Sequence, residues 1–342
     1  MRWTWRLGAL DDTAFATLLG VRQPIPWGLA SVDQGLCCKQ VSLALPDIPA
    51  GHWLLPSYSR LGSPYSFRFC LHWHARDGQA CSATLANVGD LVPIAPAVPG
   101  LGVATPIDAF VSTDDLRAVR LTLDCWLPLQ NVDAMPFSVQ ACRAQEWLSC
   151  SVRPTHLAPD AGRLQGQCAI DVPALSQMLL DNAADRMRSC SPVSLAMACS
   201  AGRPALARDH FVQASQHSGM YGVWPANIHA ASRAGVLGSV ELFSAADDAV
   251  PLLRAGVQIV ASTRWASGTL SNSPLPASAG HLMLLRGLGR GYAAVHDPAA
   301  ATDEAVRRQY PRDEFCRIWL SERGATYLLL ASPFQTAEPQ RP

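Results

Sequence analysis

The stretch RMRSCSPVSLAMACSAG, residues 186–202, decides how the C-terminal half folds, because it predicts a helix that opens on a cysteine. Pro192 suits the first helical turn, where the N–H that proline lacks would have no partner, and Gly202 ends the helix. The sulfur of Cys190 would then lie beside unpaired N–H groups and the positive end of the helix dipole, which both favour thiolate over thiol. A small buried thiol is the other interpretation, and the local sequence leaves both open.

The composition limits the classes of protein that need consideration. The chain has 342 residues, of which 49% are apolar and 16% charged, and this predicts a globular protein of two domains. A formal net charge of zero argues against a nucleic-acid-binding protein. No run approaches the roughly 20 apolar residues of a membrane span, so we expect no membrane partner.

The cysteines and the N-terminal stretch bear on the cellular compartment. Eleven cysteines are scattered without a regular spacing, which indicates reduced thiols rather than a disulfide framework or a zinc site. Asp11 and Asp12 lie where a signal peptide needs an apolar segment. We therefore expect a cytoplasmic protein, with an exported protein as the alternative.

The N-terminal half has the pattern of β-strands. Residues 66–75 (SFRFCLHWHA) and 118–127 (AVRLTLDCWL) alternate apolar and polar side chains, and 137–143 (FSVQACR) is similar. Proline- and glycine-rich segments separate them, as loops would. This pattern predicts a β-sandwich over residues 1–160.

One of these strands carries three side chains that could bind a metal. Cys70, His72 and His74 lie on one face at strand spacing. The outer face of a sandwich strand gives the same pattern, and no further ligand is spaced to complete a site. We therefore predict no metal and no cofactor.

The C-terminal half mixes helices with strands. A helix begins at Cys190 and a second spans 225–235, whereas 256–263, 281–289 and 292–298 have strand patterns. The segment before them, 153–167, has many helix and strand breakers, so we place the domain boundary there. The prediction is an α+β domain over residues 166–333.

A thiolate nucleophile needs a base, and the base needs an orienting partner. His281 begins an apolar strand that returns through the hairpin LGRG to YAAVHDP. A hairpin loop of odd length would set Asp297 opposite His281 and on the same face. A loop of even length would instead bring His296 or Pro298 to that face. A satisfied core histidine is a further interpretation of His281.

Seven segments of this half occur in the order found in one known family. They resemble bacterial proteins related to the double-glycine leader peptidases, which are papain-like cysteine peptidases. The segments are VPALSQ (172–177), CSPVSLAM (190–197), YGVWPANIHAA (221–231), AGVQIVAS (255–262), GHLMLLRGL (280–288), HDPAA (296–300) and VRRQYPRDEFCRIWL (306–320).

The resemblance implies a fold and a set of catalytic roles. It implies a papain-like α+β domain in which Cys190 is the nucleophile and His281 the general base and acid. Asp297 would orient the histidine. Gln177 matches the glutamine that binds the tetrahedral oxyanion together with the backbone N–H of the nucleophile.

The resemblance also covers residues beside the catalytic set. Trp224 and Asn227 match a segment that lines the cleft in relatives, which implies contact with substrate. A core tryptophan that caps a helix is the alternative for Trp224. Ser191 stands where the leader peptidases usually have glycine.

These roles predict a thiol-dependent hydrolase that cleaves a peptide or other amide bond through an acyl-enzyme. An acyl- or peptidyl-transferase would use the same residues if an amine or thiol replaced water. A non-catalytic binding protein that retains the fold is the alternative from another class. The sequence has no ATP-binding cassette and no membrane span, so it does not imply the export-linked processing of the leader peptidases.

Overall fold

The computed structural model describes residues 2–7, 23–106, 108–129 and 146–330. The predicted strand 137–143 lies outside these ranges. Within them, the N-terminal half consists of β-strands and the C-terminal half combines one sheet with short helices. The predicted fold class is confirmed.

Two sheets make up the N-terminal half. The six-stranded sheet has the order β2-β1-β11-β5-β9-β8 and the five-stranded sheet the order β3-β4-β10-β6-β7. The strands are β1 (Arg2–Leu7), β2 (Gln23–Pro24), β3 (Gly28–Asp33), β4 (Leu36–Ala44), β5 (His52–Arg60), β6 (Ser66–His74), β7 (Ala80–Thr84), β8 (Val103–Ala104), β9 (Phe110–Ser112), β10 (Arg117–Pro128) and β11 (Glu146–Pro154).

The two sheets enclose a shared hydrophobic core, as the alternation predicts. Phe67, Phe69, Leu71 and Trp73 of β6 are buried, while the side chains between them are partly or fully exposed. Leu148 of the six-stranded sheet packs into the same core. Side chains at every second position point to the same face of a strand, and in β6 this face lies against the opposite sheet.

A seven-stranded sheet organises the C-terminal half, with the order β13-β18-β14-β15-β16-β17 and β12 paired to β15. Its strands are β12 (Gly166–Gln167), β13 (Gly238–Leu242), β14 (Gln258–Trp265), β15 (Ser278–Leu288), β16 (Tyr292–His296), β17 (Arg307–Pro311) and β18 (Ala325–Leu329). The helices in the described ranges are α1 (Cys190–Cys199), α2 (Arg208–Ala214), α3 (Trp224–Arg233), α4 (Ala249–Arg254) and α5 (Arg312–Leu320).

The two halves pack tightly against each other. Ser59 Oγ donates to the carbonyl of Gly238 at 2.5 Å, and Val240 N donates to Ser57 Oγ at 2.9 Å. Strand β11 lies between the two halves, and all of its residues except Pro154 are buried. The division into domains 1–160 and 166–333 stays a prediction, because the two halves share this buried contact.

A buried arginine joins the sandwich to the C-terminal end of α5. Arg153 of β11 is 1% exposed, and its guanidinium donates to the carbonyls of Leu320 and Glu322. The last carbonyls of a helix have no intrahelical partner, so a cation at that position satisfies them. Arg153 therefore fixes the end of α5 from the other half of the chain.

We expect Arg153→Met to lower the free energy of unfolding by about 1–3 kcal/mol, because it leaves buried carbonyls without donors. Chemical denaturation of the full chain measures the change. Arg120→Met, which replaces an exposed arginine of β10, is the control and should stay close to the wild type. Equal stability of the two variants would contradict the assigned role of Arg153.

Candidate active site

Helix α1 begins at Cys190, and Pro192 lies in its first turn. Val193 N donates to the carbonyl of Ser189 at 3.0 Å, which is the first helical hydrogen bond of this end. The sulfur of Cys190 lies at the helix N-terminus, half-buried. This is the placement that the sequence predicted.

The pKa of the Cys190 thiol is lowered although burial acts in the opposite direction. Burial raises this pKa, but hydrogen bonding with His281, the charge of His281 and hydrogen bonds with backbone groups of Leu282 and Ser191 together lower it further. For Cys199, in the same helix, burial raises the pKa to about 12, because the charge of Arg203 opposes this effect only in part. The two thiols of α1 are therefore chemically different.

His281 lies on β15 and is 2% exposed. Its Nε2 is 2.7 Å from Oδ1 of Asp297, which leaves Nδ1 as the ring nitrogen free for the thiol of Cys190. Burial lowers the pKa of His281, but Asp297 and Cys190 raise it further, so the net shift is upward. The ring of Trp265 packs edge-on against the imidazole, with the centroids 5.7 Å apart.

Asp297 follows the last residue of β16 and is fully buried. Its Oδ1 also accepts from Ala299 N at 2.9 Å, and its Oδ2 accepts from the hydroxyl of Tyr310 at 2.6 Å. Burial raises the pKa of Asp297, but the charge of His281 and these hydrogen bonds lower it to a value below its ordinary range. A charged carboxylate is therefore held on the imidazole.

The hairpin loop has the even length of the second alternative, but the strand register departs from both alternatives that the sequence left open. Gly289 N donates to the carbonyl of Tyr292 at 2.8 Å, so the loop has two residues, an even length. Leu288 pairs with Ala293, and continuing that register would set Asp297 on the face opposite to His281.

A β-bulge in β15 brings Asp297 back to the face of the sheet on which His281 lies. The register shifts between Leu285 and Gly287, so Leu284 pairs with His296. Extending this pairing by one residue sets Asp297 opposite Met283, on the same face as His281. The carboxylate and the imidazole thus meet as diagonal rather than directly opposite neighbours.

Tyr310 is a residue of this site that the sequence analysis missed. It lies on β17, which pairs with β16, and it is 1% exposed. Its hydroxyl fixes the carboxylate oxygen that His281 does not use. Tyr310 lies in one of the segments that resemble the family. No local sequence pattern, however, shows that its hydroxyl faces Asp297, the residue after the preceding strand.

We expect Tyr310→Phe to slow thiol alkylation and turnover by about tenfold, the scale of one hydrogen bond to a charged group. Tyr310 lowers the pKa of Asp297, so its loss raises that pKa. Asp297 then protonates at a higher pH, and activity on the acid side falls at a higher pH than in the wild type. The pH profile of alkylation measures this, with the exposed Tyr292→Phe as control, and identical profiles would contradict the role.

Gln177 lies in a short 3-10 helix, Gln177–Leu179. Its backbone N donates to the carbonyl of Pro298 at 2.8 Å, and its side-chain Nε2 donates to the carbonyl of Arg186 at 2.5 Å. These bonds tie Gln177 to the residue after Asp297 and to the segment that leads into Cys190. One N–H of the amide is left for another acceptor.

Trp224 and Asn227 lie at the start of α3 and are buried, with 4% and 0% exposure. Trp224 N donates to the carboxylate of Asp108 at 3.2 Å, and Asn227 Nδ2 donates to the carbonyls of Tyr221 and Val223 at 2.8 Å. This burial favours the alternative interpretation, a core tryptophan at a helix start. Contact of either side chain with substrate stays a prediction.

Ser191 and Tyr327 form a buried pair behind the cysteine. The two hydroxyl oxygens are 2.8 Å apart, and Tyr327 lies on β18. Ser191 therefore links the first turn of α1 to the central sheet. This explains how the chain accommodates serine where the leader peptidases usually have glycine.

No group of three or more His, Cys, Asp or Glu side chains in the described ranges could hold a metal ion, and this includes the strand with Cys70, His72 and His74. No helix in the same ranges is long and apolar enough to cross a membrane.

Residues 169–327 match the model of the Peptidase_C39 like family. A crystal structure designated a C39-like peptidase from Bacillus anthracis matches with 14% identity and a TM-score of 0.37, over 48% of this chain and 98% of that one. A double glycine motif protease from an AMS/PCAT transporter, solved in complex with the leader peptide, matches with 17% identity and a TM-score of 0.33, over 50% and 100%. No curated protein matches the chain.

Proposed function

Because residues 169–327 match the model of the Peptidase_C39 like family, we propose that the protein is a cysteine peptidase that cleaves peptide bonds through an acyl-enzyme on Cys190. The observation that carries this proposal is the connected set Cys190, His281, Asp297 and Tyr310. Each member contacts the next, and the pKa of the thiol is lowered while that of the imidazole is raised. These shifts favour a thiolate–imidazolium pair.

The first half of the reaction forms the acyl-enzyme. The Cys190 thiolate attacks the carbonyl carbon of the scissile bond and forms a tetrahedral intermediate with a negatively charged oxygen. His281 then donates its proton to the amide nitrogen, the C–N bond breaks, and the amine leaves. A thioester between Cys190 and the acyl part of the substrate remains.

The second half restores the enzyme. Neutral His281 takes a proton from a water molecule, whose oxygen attacks the thioester carbonyl. The C–S bond breaks, the carboxylic acid leaves, and the thiolate–imidazolium pair forms again. Asp297 keeps its charge throughout, orients the imidazole and stabilises the imidazolium form.

Gln177 is proposed to donate its remaining amide N–H to the oxyanion, together with the backbone N–H of Cys190. Its anchoring to Pro298 and Arg186 supports this role because it holds the amide between the two ends of the site. We expect Gln177→Ala to lower kcat by about 10²- to 10³-fold, as for removal of one oxyanion donor. The rate of Cys190 alkylation should change little, since alkylation forms no oxyanion. Equal losses in both assays would indicate a structural role instead.

The test of the proposed function is capture of the acyl-enzyme. The full chain is incubated with a defined pool of peptides, quenched in acid and analysed by mass spectrometry. The expected result is a set of newly cleaved peptides and a mass increase at Cys190 that equals the acyl part of one of them. Absence of cleavage and of acylation would contradict the proposal and leave the binding-protein interpretation.

A further inference from the structure

A cleft of about 680 Å³ opens beside the candidate active site, between the loop that joins β14 to β15 and the C-terminal end of α5. We call it the Arg317 cleft. Its lining includes Arg264, Trp265, Ser278, Arg317, Ile318 and Glu322.

A single side chain, Trp265, separates the cleft from His281. Trp265, one of its walls, packs edge-on against the ring of His281. Ser278, another wall residue, lies three positions before His281 on the same strand. The imidazole therefore contacts Cys190 and, through Trp265, adjoins the cleft.

This position assigns the cleft to one side of the substrate. His281 must lie beside the leaving nitrogen in the proposed reaction, because it protonates that atom. A substrate chain that continued from the nitrogen past His281 would next meet the wall formed by Trp265. The cleft therefore faces the part of the substrate on the amine side of the scissile bond.

The charges in the cleft favour an anionic group. The guanidinium of Arg317 is exposed on α5 and forms no ion pair within the part of the chain that the structure describes. Arg264 has Glu322 at 3.8 Å, with both side chains more than half exposed, so this pair is weak. The cleft thus holds two cations against one carboxylate, although the whole chain has a formal net charge of zero.

We propose that the Arg317 cleft binds a carboxylate of the substrate on the amine side of the scissile bond. Planar guanidinium groups bind carboxylates through paired N–H donors. The carboxylate can belong to an Asp or Glu side chain or to the C-terminus of a short leaving peptide. The proposal rests on the proposed function, since the reaction orients the substrate.

The test uses peptides built around one bond that the enzyme cleaves. The residue two positions after that bond is Asp, Asn or Lys, and each peptide has either a free or an amidated C-terminus. We expect kcat/KM to fall from Asp to Asn to Lys by about three- to fivefold per step, the scale of an exposed ion pair. A preference that depends on the free C-terminus alone would assign the carboxylate to that end.

A charge-reversal variant of Arg317 tests whether the cleft causes the preference for the Asp peptide. Arg317→Glu should invert the order so that Lys is preferred, while Arg290→Glu, in the exposed hairpin turn outside the cleft, should keep the wild-type order. Equal rates for Asp, Asn and Lys with both C-termini, in an enzyme that hydrolyses all of them, would overturn the inference and leave the proposed function standing.

A binding assay decides the case in which no peptide is hydrolysed. Fluorescein-labelled versions of the same peptides are titrated with the Cys190→Ala variant and followed by anisotropy. The cleft assignment is supported, even if the proposed function fails, if the Asp peptide binds more tightly than the Asn and Lys peptides and Arg317→Glu abolishes this difference. Binding without charge preference would overturn it.

Discussion

Replacement of Cys190 by alanine is expected to lower peptide hydrolysis by about 10³-fold or more, because no other group in the site can form the acyl-enzyme. The fold should persist, since the side chain is small and lies at a helix start. Initial rates with a peptide that the wild type cleaves measure the effect, and the melting temperature checks the fold.

Cys199→Ala is the matched control for this variant. Cys199 lies at the other end of α1, it is 1% exposed, and the pKa of its thiol is raised to about 12. We expect this variant to retain the wild-type rate, with a modest loss of stability from the small cavity. Hydrolysis that survives in Cys190→Ala and is lost in Cys199→Ala would contradict the assignment of the nucleophile.

Replacement of Asp297 by asparagine is expected to lower kcat by about 10²- to 10⁴-fold, the range for loss of a triad carboxylate. Asparagine keeps an oxygen for His281 and Ala299 and turns its amide toward Tyr310, whose hydroxyl can accept instead. The variant therefore removes the charge with little change of shape.

The pH dependence of this variant follows from the pKa shifts. Asp297 raises the pKa of His281, so the variant lowers it, and the imidazolium loses its proton at a lower pH. The charge of His281 lowers the pKa of Cys190, and this effect ends at the lower pH at which the imidazolium loses its proton. The pH window of the thiolate–imidazolium pair becomes narrower from its alkaline end.

The alkylation profile of Asp297→Asn between about pH 5 and pH 9, which spans the ordinary pKa values of His and Cys, measures this narrowing. The exposed Asp313→Asn on α5 is the control and should show the wild-type profile. An unchanged profile in Asp297→Asn would show that the carboxylate does not act on the imidazole.

The sequence predicted the parts of this site that depend on local patterns. Helix α1 begins at Cys190 because proline occupies its first turn and apolar residues follow. Strand β6 alternates as expected, because one face packs on the opposite sheet. The order of the seven segments located His281 and Asp297, although neither residue has a distinctive local environment in the sequence.

The contacts that escaped the sequence analysis join residues across strands and across the two halves. The bulge between Leu285 and Gly287 restores the face of Asp297, but no residue pattern marks where a strand gains an extra position. The backbone N–H of Trp224 donates to Asp108, which belongs to the other half of the chain. Periodicity carries no information about such a partner.

The measurement that tests the central claim most directly is the rate of Cys190 alkylation by iodoacetamide as a function of pH, followed by peptide mass spectrometry. We predict rapid labelling at about pH 6, well below the ordinary thiol pKa, in the wild type and loss of this labelling in His281→Ala. Labelling as slow as that of an ordinary thiol, unchanged by the mutation, would contradict the existence of the thiolate–imidazolium pair.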